Sequence, residues 1–149
     1  MKSSYYVAVT TRSYRHAVDA LVGKPVPDLD GYRIDLTNVS HREFSTGFYF
    51  GSEDMNRPTL TGYARSFRFL GIVGKPLAEG TFEIDVKNTI RVGREIEYLG
   101  FDVLSVKDHS FQLINDEGDT VSQANHGGDI RLVTDAPIRE GYVIREVLD

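Results

Sequence analysis

The sequence of 149 residues contains no cysteine. That absence excludes disulfides, a thiol nucleophile, Cys-ligated zinc and an iron–sulfur cluster held by these residues. It fits a reducing compartment, and a cytoplasmic chain is expected. Long apolar runs are also missing, so no segment approaches the roughly 20 apolar residues of a membrane-spanning helix. The opening "MKSSYYVAVTTRSYRHAV" has no uninterrupted apolar core, because Thr, Arg and His break it, and no secretion signal is read there. Several catalytic signatures are absent as well. No G-x-S-x-G elbow occurs. The histidines at 16, 41, 109 and 126 show no H-x-x-x-H spacing. "GIVGKP" (71–76) has its first glycine at the wrong spacing for a phosphate loop, and Pro76 stands where a Ser or Thr would hold magnesium. "HGGD" (126–129) reads as a glycine-rich connection.

What is present is ordinary globular material. A hydrophobic fraction of 40% in a chain of this length suffices for one domain burying roughly 70% of its unfolded surface. The net charge of −5 is unevenly spread. Residues 1–75 hold ten Lys/Arg against seven Asp/Glu, whereas residues 76–149 hold seven against fifteen. A polyanion would therefore meet the first half more readily than the second.

Residues 4–22 read as an amphipathic helix, capped by Ser3 or Ser4 and ended by Gly23 and Pro25. Val7, Thr11, Tyr14, Val18 and Leu21 share one face and are expected to pack inward; Arg12, His16 and Asp19 lie opposite. "GKPVPDLDGY" (23–32) reads as a loop and "IDLTNVSHR" (34–42) as a short helical turn. From Phe44 onward the period changes to two. "TFEIDVKN" points Phe82, Ile84 and Val86 one way and its charged residues the other. "SFQLI" (110–114) alternates similarly and is followed by a turn at 115–119. Further strands are expected at 67–73, 95–99, 130–134 and 142–147. Their spacing suggests a mainly β fold, a small antiparallel β-barrel preceded by the N-terminal helix.

"SHREFSTGFYFG" (40–51) concentrates reactive residue types. On a strand Ser40 and His41 point to opposite faces, so with Glu43 they do not assemble a hydrolytic triad. Phe44, Phe48 and Phe50 supply packing, and Gly47 permits a bend. A second set is more suggestive. Arg12, Arg15, Arg42, Arg57, Arg65 and Arg68 accompany Phe48, Tyr49, Tyr63 and Phe67, and arginine with aromatics is what a single-stranded or looped RNA site uses. The competing reading places the aromatics in the core with the arginines snorkelling outward.

"MKSSYYVA" (1–8) together with "SHREFSTGFY" (40–49) resembles paired segments of the collagenase-like peptidases, the unclassified-mechanism peptidase family thirty-two, several of which are tRNA uridine hydroxylases. "VKNTIRVGREIEYLG" (86–100) is similar to a following segment of that family. The resemblance implies that residues 1–43 are the linking helix and loop at the end of the peptidase-family region. Residues 44–149 would then form a C-terminal barrel similar to the second domain of translation elongation factors. It also implies a catalytic domain upstream of Met1 bearing an iron–sulfur cluster, with no cofactor and no metal in this stretch. The function implied is a non-catalytic accessory domain that positions a substrate, tRNA or protein, with no membrane role. Arg12, Arg15, His41, Arg42, Tyr49, Arg57, Arg65 and Arg68 are the residues expected to meet RNA or the missing domain. A protein-interaction or dimerisation module is the alternative, and direct participation in proteolysis a third.

Overall fold

A computed structural model describes residues 3–26, 28–39 and 67–148. Two helices precede a β domain. Helix α1 (Ser4–Leu21) begins where Ser3 Oγ accepts the Tyr6 N–H at 3.2 Å and stops before Gly23, whose φ of 77° suits glycine alone. Helix α2 (Leu29–Thr37) lies partly inside the stretch expected to be a loop. Asp28 caps it by accepting the Gly31 N–H at 2.7 Å. At Gly31 a Cβ would lie 2.4 Å from both Asp28 Oδ2 and Leu104 Cδ2, so a larger residue would turn the capping side chain and Leu104 aside. The glycine that looked like a loop residue thus admits a close contact.

The β domain contains β1 (Phe67–Ala78), β2 (Thr81–Val86), β3 (Ile90–Arg91), β4 (Ile96–Leu99), β5 (Val106–Asp108), β6 (Gln112–Ile114), β7 (Thr120–Val121), β8 (Gln123–Ala124), β9 (Ile130–Val133) and β10 (Val143–Val147). Eight of them form one antiparallel sheet in the order β5-β4-β10-β1-β2-β9-β6-β7, curled into a half-barrel; β3 and β8 pair separately. The mainly β, antiparallel expectation with a leading helix is what forms. "GIVGKP" lies wholly within β1, in an extended strand rather than a loop before a helix.

The inside of the curl is filled by Leu70, Val73, Ile84, Val86, Tyr98, Leu132, Ile144 and their neighbours. In β2, Ile84 and Val86 turn inward and Glu83 and Asp85 outward, as the alternation required. β4 is different, being buried at every residue, and β10 at every residue but its last. Ile96, Tyr98 and Ile144 join the main core, whereas Leu99 and Val143 join a second cluster with Tyr5, Val9 and Val39. The helices cover the other face of these two strands, which explains burial on both sides.

That docking overturns one expectation. α1 turns Tyr5, Val9, Arg12 and Ser13 toward the sheet, while Val7, Thr11, Tyr14, Val18 and Leu21 remain exposed. The face containing Arg12 is buried because its polar groups find partners: Ser13 Oγ donates to Tyr32 O at 3.0 Å, and His16 stacks on Tyr32 with ring centroids 4.1 Å apart. A buried polar group with partners forfeits little, so the apolar count of a face does not alone decide its direction.

A second polar cluster lies within the sheet. Buried Asp108 accepts hydrogen bonds from Tyr98 Oη (3.0 Å), Thr134 Oγ1 (2.5 Å) and the Ser110 N–H (2.8 Å). Burial alone would push its carboxyl pKa up, but the bonds from Thr134, Ser110 and Tyr98 outweigh that and hold it below the usual range. Burial also drives the Tyr98 phenol strongly upward. A depressed folded pKa contributes stability at pH values above the unfolded carboxyl value near ~3.9, lost as pH falls through the folded value. Asp108→Asn is therefore expected to lower stability at pH 7 by about 1–3 kcal/mol and to flatten the acid limb below about pH 4. Urea denaturation at pH 7, 5 and 3 measures both, and an acid limb as steep as the wild type's would contradict the assignment.

Candidate functional site

The helices and the sheet are joined by a chain of alternating charges. Arg12 on α1 pairs with Asp35 on α2, whose other oxygen accepts Arg145 Nη1 at 2.9 Å from β10. Arg145 also holds Glu97 Oε2 of β4 at 2.8 Å and reaches the Tyr5 hydroxyl at 3.2 Å. All four charged side chains are 4–8% exposed. Arg145 and Glu97 are direct cross-strand neighbours, so register places them together. The Arg145 guanidinium lies 3.6 Å from the Phe67 ring centroid, closing its remaining side.

Arg12 has a further set of acceptors. Its Nη1 donates to the carbonyls of Gly100 (3.1 Å), Val103 (3.3 Å) and Leu104 (2.8 Å). Burial lowers the Arg12 pKa despite Asp35. Burial acts the same way on Arg145, but Tyr5, Asp35 and Glu97 more than compensate and raise it. Both guanidiniums stay charged at any physiological pH.

Beside this network an apolar groove of about 420 Å³ runs between α1 and the sheet, with Val7, Leu99, Gly100, Phe101 and Val143 in its walls. Phe101 meets Tyr142 edge-on, and Tyr142 Oη bonds Asp102, which also pairs with Arg139 at 3.0 Å. Burial and Asp102 together push the Tyr142 phenol up to about 12. Gly100 lets the wall close, since a Cβ would lie 2.4 Å from Tyr142 Cζ.

The residues expected to meet RNA or a missing domain separate in space. Arg12 is buried in the charge network. Arg68 pairs across strands with Glu146, and Arg15 is exposed but paired with Asp19 at 3.1 Å. His41, Arg42, Tyr49, Arg57 and Arg65 lie outside the described residues, as do the segment 40–51 and its Ser40, His41 and Glu43. His126 Nδ1 lies 2.8 Å from Val86 O, and His109 pairs with Glu95 at 2.8 Å. Among the described residues no three His, Asp or Glu side chains converge on a metal position, and with no cysteine the chain does not fit an iron–sulfur cluster. Among the described residues no helix is long and apolar enough to cross a membrane. Sequence reasoning missed Asp35, Glu97 and Arg145. The available signal was the charged residues inside the otherwise apolar strands "IEYL" and "VIREV".

The model of the C-terminal domain of peptidase family U32 matches residues 65–145. The chain belongs to peptidase family U32. A second U32 model, that of the peptidase family itself, matches residues 1–58. Among curated relatives, an uncharacterized protease of Methanocaldococcus jannaschii is 26% identical over 159 residues, covering 99% of this chain and 38% of its own length. A tRNA hydroxylation protein P of Haemophilus influenzae is 36% identical over 104 residues, covering 66% of this chain and 22% of its own length. The chain thus spans well under half of either relative. Two crystal structures of the C-terminal domain of a Geobacillus thermoleovorans U32 peptidase are similar at 21% identity, with TM-scores of 0.46 and 0.45. They cover 53% and 52% of this chain, and 99% and 91% of their own chains. The two U32 regions meet in the charge network: Arg12 and Asp35 belong to the first, Glu97 and Arg145 to the second.

Proposed function

We propose that this chain is a non-hydrolytic accessory module of a U32 protein, holding a substrate in fixed relation to the peptidase-family portion, and that the substrate is tRNA. The observation carrying the positioning role is the buried Arg12–Asp35–Arg145–Glu97 chain, which ties the helices matched by one U32 model to the sheet matched by the other. Four buried charges of alternating sign resist separation, because parting any pair strands a charge in a poorly solvated site. The sheet would then move as one piece with whatever α1 joins.

The name of the Haemophilus influenzae relative favours tRNA. The charge distribution limits how tRNA would be held. Residues 67–148 carry nine Lys/Arg against fourteen Asp/Glu, so binding would rest on a few local arginines and aromatics rather than on a broad basic field. Arg42, Tyr49, Arg57 and Arg65 are the proposed set, with Arg15 at the edge of α1. Labelled tRNA titrated against the chain should bind about 20- to 40-fold more weakly at 200 mM salt than at 50 mM, as expected for about three phosphate contacts. Arg42→Ala with Arg57→Ala should shallow that dependence. Salt-insensitive or absent binding by a chain with an intact far-ultraviolet spectrum would remove tRNA from the proposal. Cleavage of gelatin by the purified chain, lost in Ser40→Ala, would overturn the non-hydrolytic reading.

A second reading, a protein-docking module, is favoured by the outward face of α1.

A further inference from the structure

The five exposed residues of α1 are spaced four, three, four and three apart: Val7, Thr11, Tyr14, Val18 and Leu21. That spacing sets all five on one stripe of the helix, a geometry against which another helix can pack. The four apolar members are 52–86% exposed, and the opposite face of α1 is already committed to the sheet. The seam has nearly uncharged flanks, since Ala8, Thr10, Ala17 and Val22 border it and Arg15 is the one charge beside it. Its N-terminal half opens into the groove walled by Leu99, Phe101 and Val143, so the apolar surface continues from helix to sheet.

We propose that this seam seats one helix of the peptidase-family portion of a U32 protein, packed against α1. The inference rests on the reading of the chain as an accessory U32 module. Two observations select this occupant over a second copy. The seam is roughly 22 Å long and about 10 Å wide, too small alone for the ~800 Å² per partner of a standard stable interface. A short seam serves when its partner is tethered or belongs to a larger body already in place, because effective concentration replaces contact area. In addition, α1 lies within residues 1–58, the stretch matched by the peptidase-family model, and both curated relatives carry far more chain than this one spans.

The lack of cysteine provides the test, because Val18→Cys supplies a single thiol in the middle of the seam. Maleimide labelling of that thiol is followed by mass spectrometry in the 149-residue chain alone. It is repeated with the portion of the Methanocaldococcus jannaschii relative outside the match, added separately in one arm and fused in the other. Labelling should slow at least tenfold in one or both arms. Arg131→Cys, on the exposed side of β9, should label at the same rate throughout. Tyr14→Glu added to Val18→Cys should restore fast labelling. Equal rates for Val18→Cys in all three settings would overturn the proposal, as would protection that survives Tyr14→Glu. Protection in the chain alone that rises with its concentration would assign the seam to a second copy and likewise overturn it. None of these readouts involves tRNA, so failure of the substrate assignment and failure of the seam are told apart.

Discussion

Replacing Asp35 with alanine is expected to destabilise the protein by about 3–5 kcal/mol. The carboxylate lies between two buried guanidiniums, Arg12 on one oxygen and Arg145 on the other. Among the described residues, its removal leaves Arg12 with carbonyl acceptors but no counter-charge, and leaves Arg145 with Glu97 as its one acid. At roughly 2–4 °C per kcal/mol for a chain of this size, the melting temperature should fall by about 10 °C. Asp35→Asn keeps the shape and loses the charge, so it should be nearly as damaging. Arg12→Met combined with Asp35→Ala removes one charge of each sign and leaves the Arg145–Glu97 pair intact. That double variant should be less destabilised than the sum of its parts. Chemical denaturation of the wild type, the two Asp35 variants, Arg12→Met and the double variant decides the matter. A loss below about 1 kcal/mol for Asp35→Ala would mean that the network behaves like an exposed ion pair.

Gly71→Ala is the second large effect, expected at about 3 kcal/mol. Gly71 sits in β1 opposite Val86 of β2 on one side and Ile144 of β10 on the other. A Cβ there would lie 2.5 Å from the backbone oxygen of Asp85. No side-chain rotation relieves that contact; only separation of β1 from β2 does, and these strands stand at the centre of the sheet. Gly74 in the same strand gives a contrast. Its Cβ would meet Glu83 Cβ at 3.0 Å and the Glu83 carbonyl oxygen at 3.1 Å, so Gly74→Ala should be the milder change. Urea denaturation ranks the two, and Gly71→Ala as stable as wild type would refute the argument.

Much of the fold was legible because its signals are local. The Ser3 cap, the terminating Gly23 and the alternation in "TFEIDV" each act within a few residues, and each element formed where expected. Helix α2 was hidden because its glycine answers a contact with Leu104, far along the chain. The direction of α1 was misread for a related reason. Arg12 looked like a solvent residue, and nothing near it in sequence announces the carbonyls of Gly100, Val103 and Leu104 that receive it. The same distance effect governs the candidate site, whose acids and bases lie up to 110 residues apart. What periodicity did carry was the seam: its residues were grouped correctly on one face, and only the identity of what that face meets was not local information.

The place of β10 has a consequence for the order in which the chain acquires its structure. It is the last strand in sequence yet lies between β4 and β1. Before Val143–Val147 are available, β4 with β5 forms one short ribbon and β1, β2, β9, β6 and β7 form another, with no strand to join them. Both ribbons then present an open edge, and Tyr5 has no Arg145 to receive. Local hairpins can close early, but the step that unites the sheet requires pairing between residues 44 to 80 apart in sequence, which makes it slow. During synthesis the nascent domain would dwell as two unsealed ribbons, a species that needs protection from association until its final strand emerges.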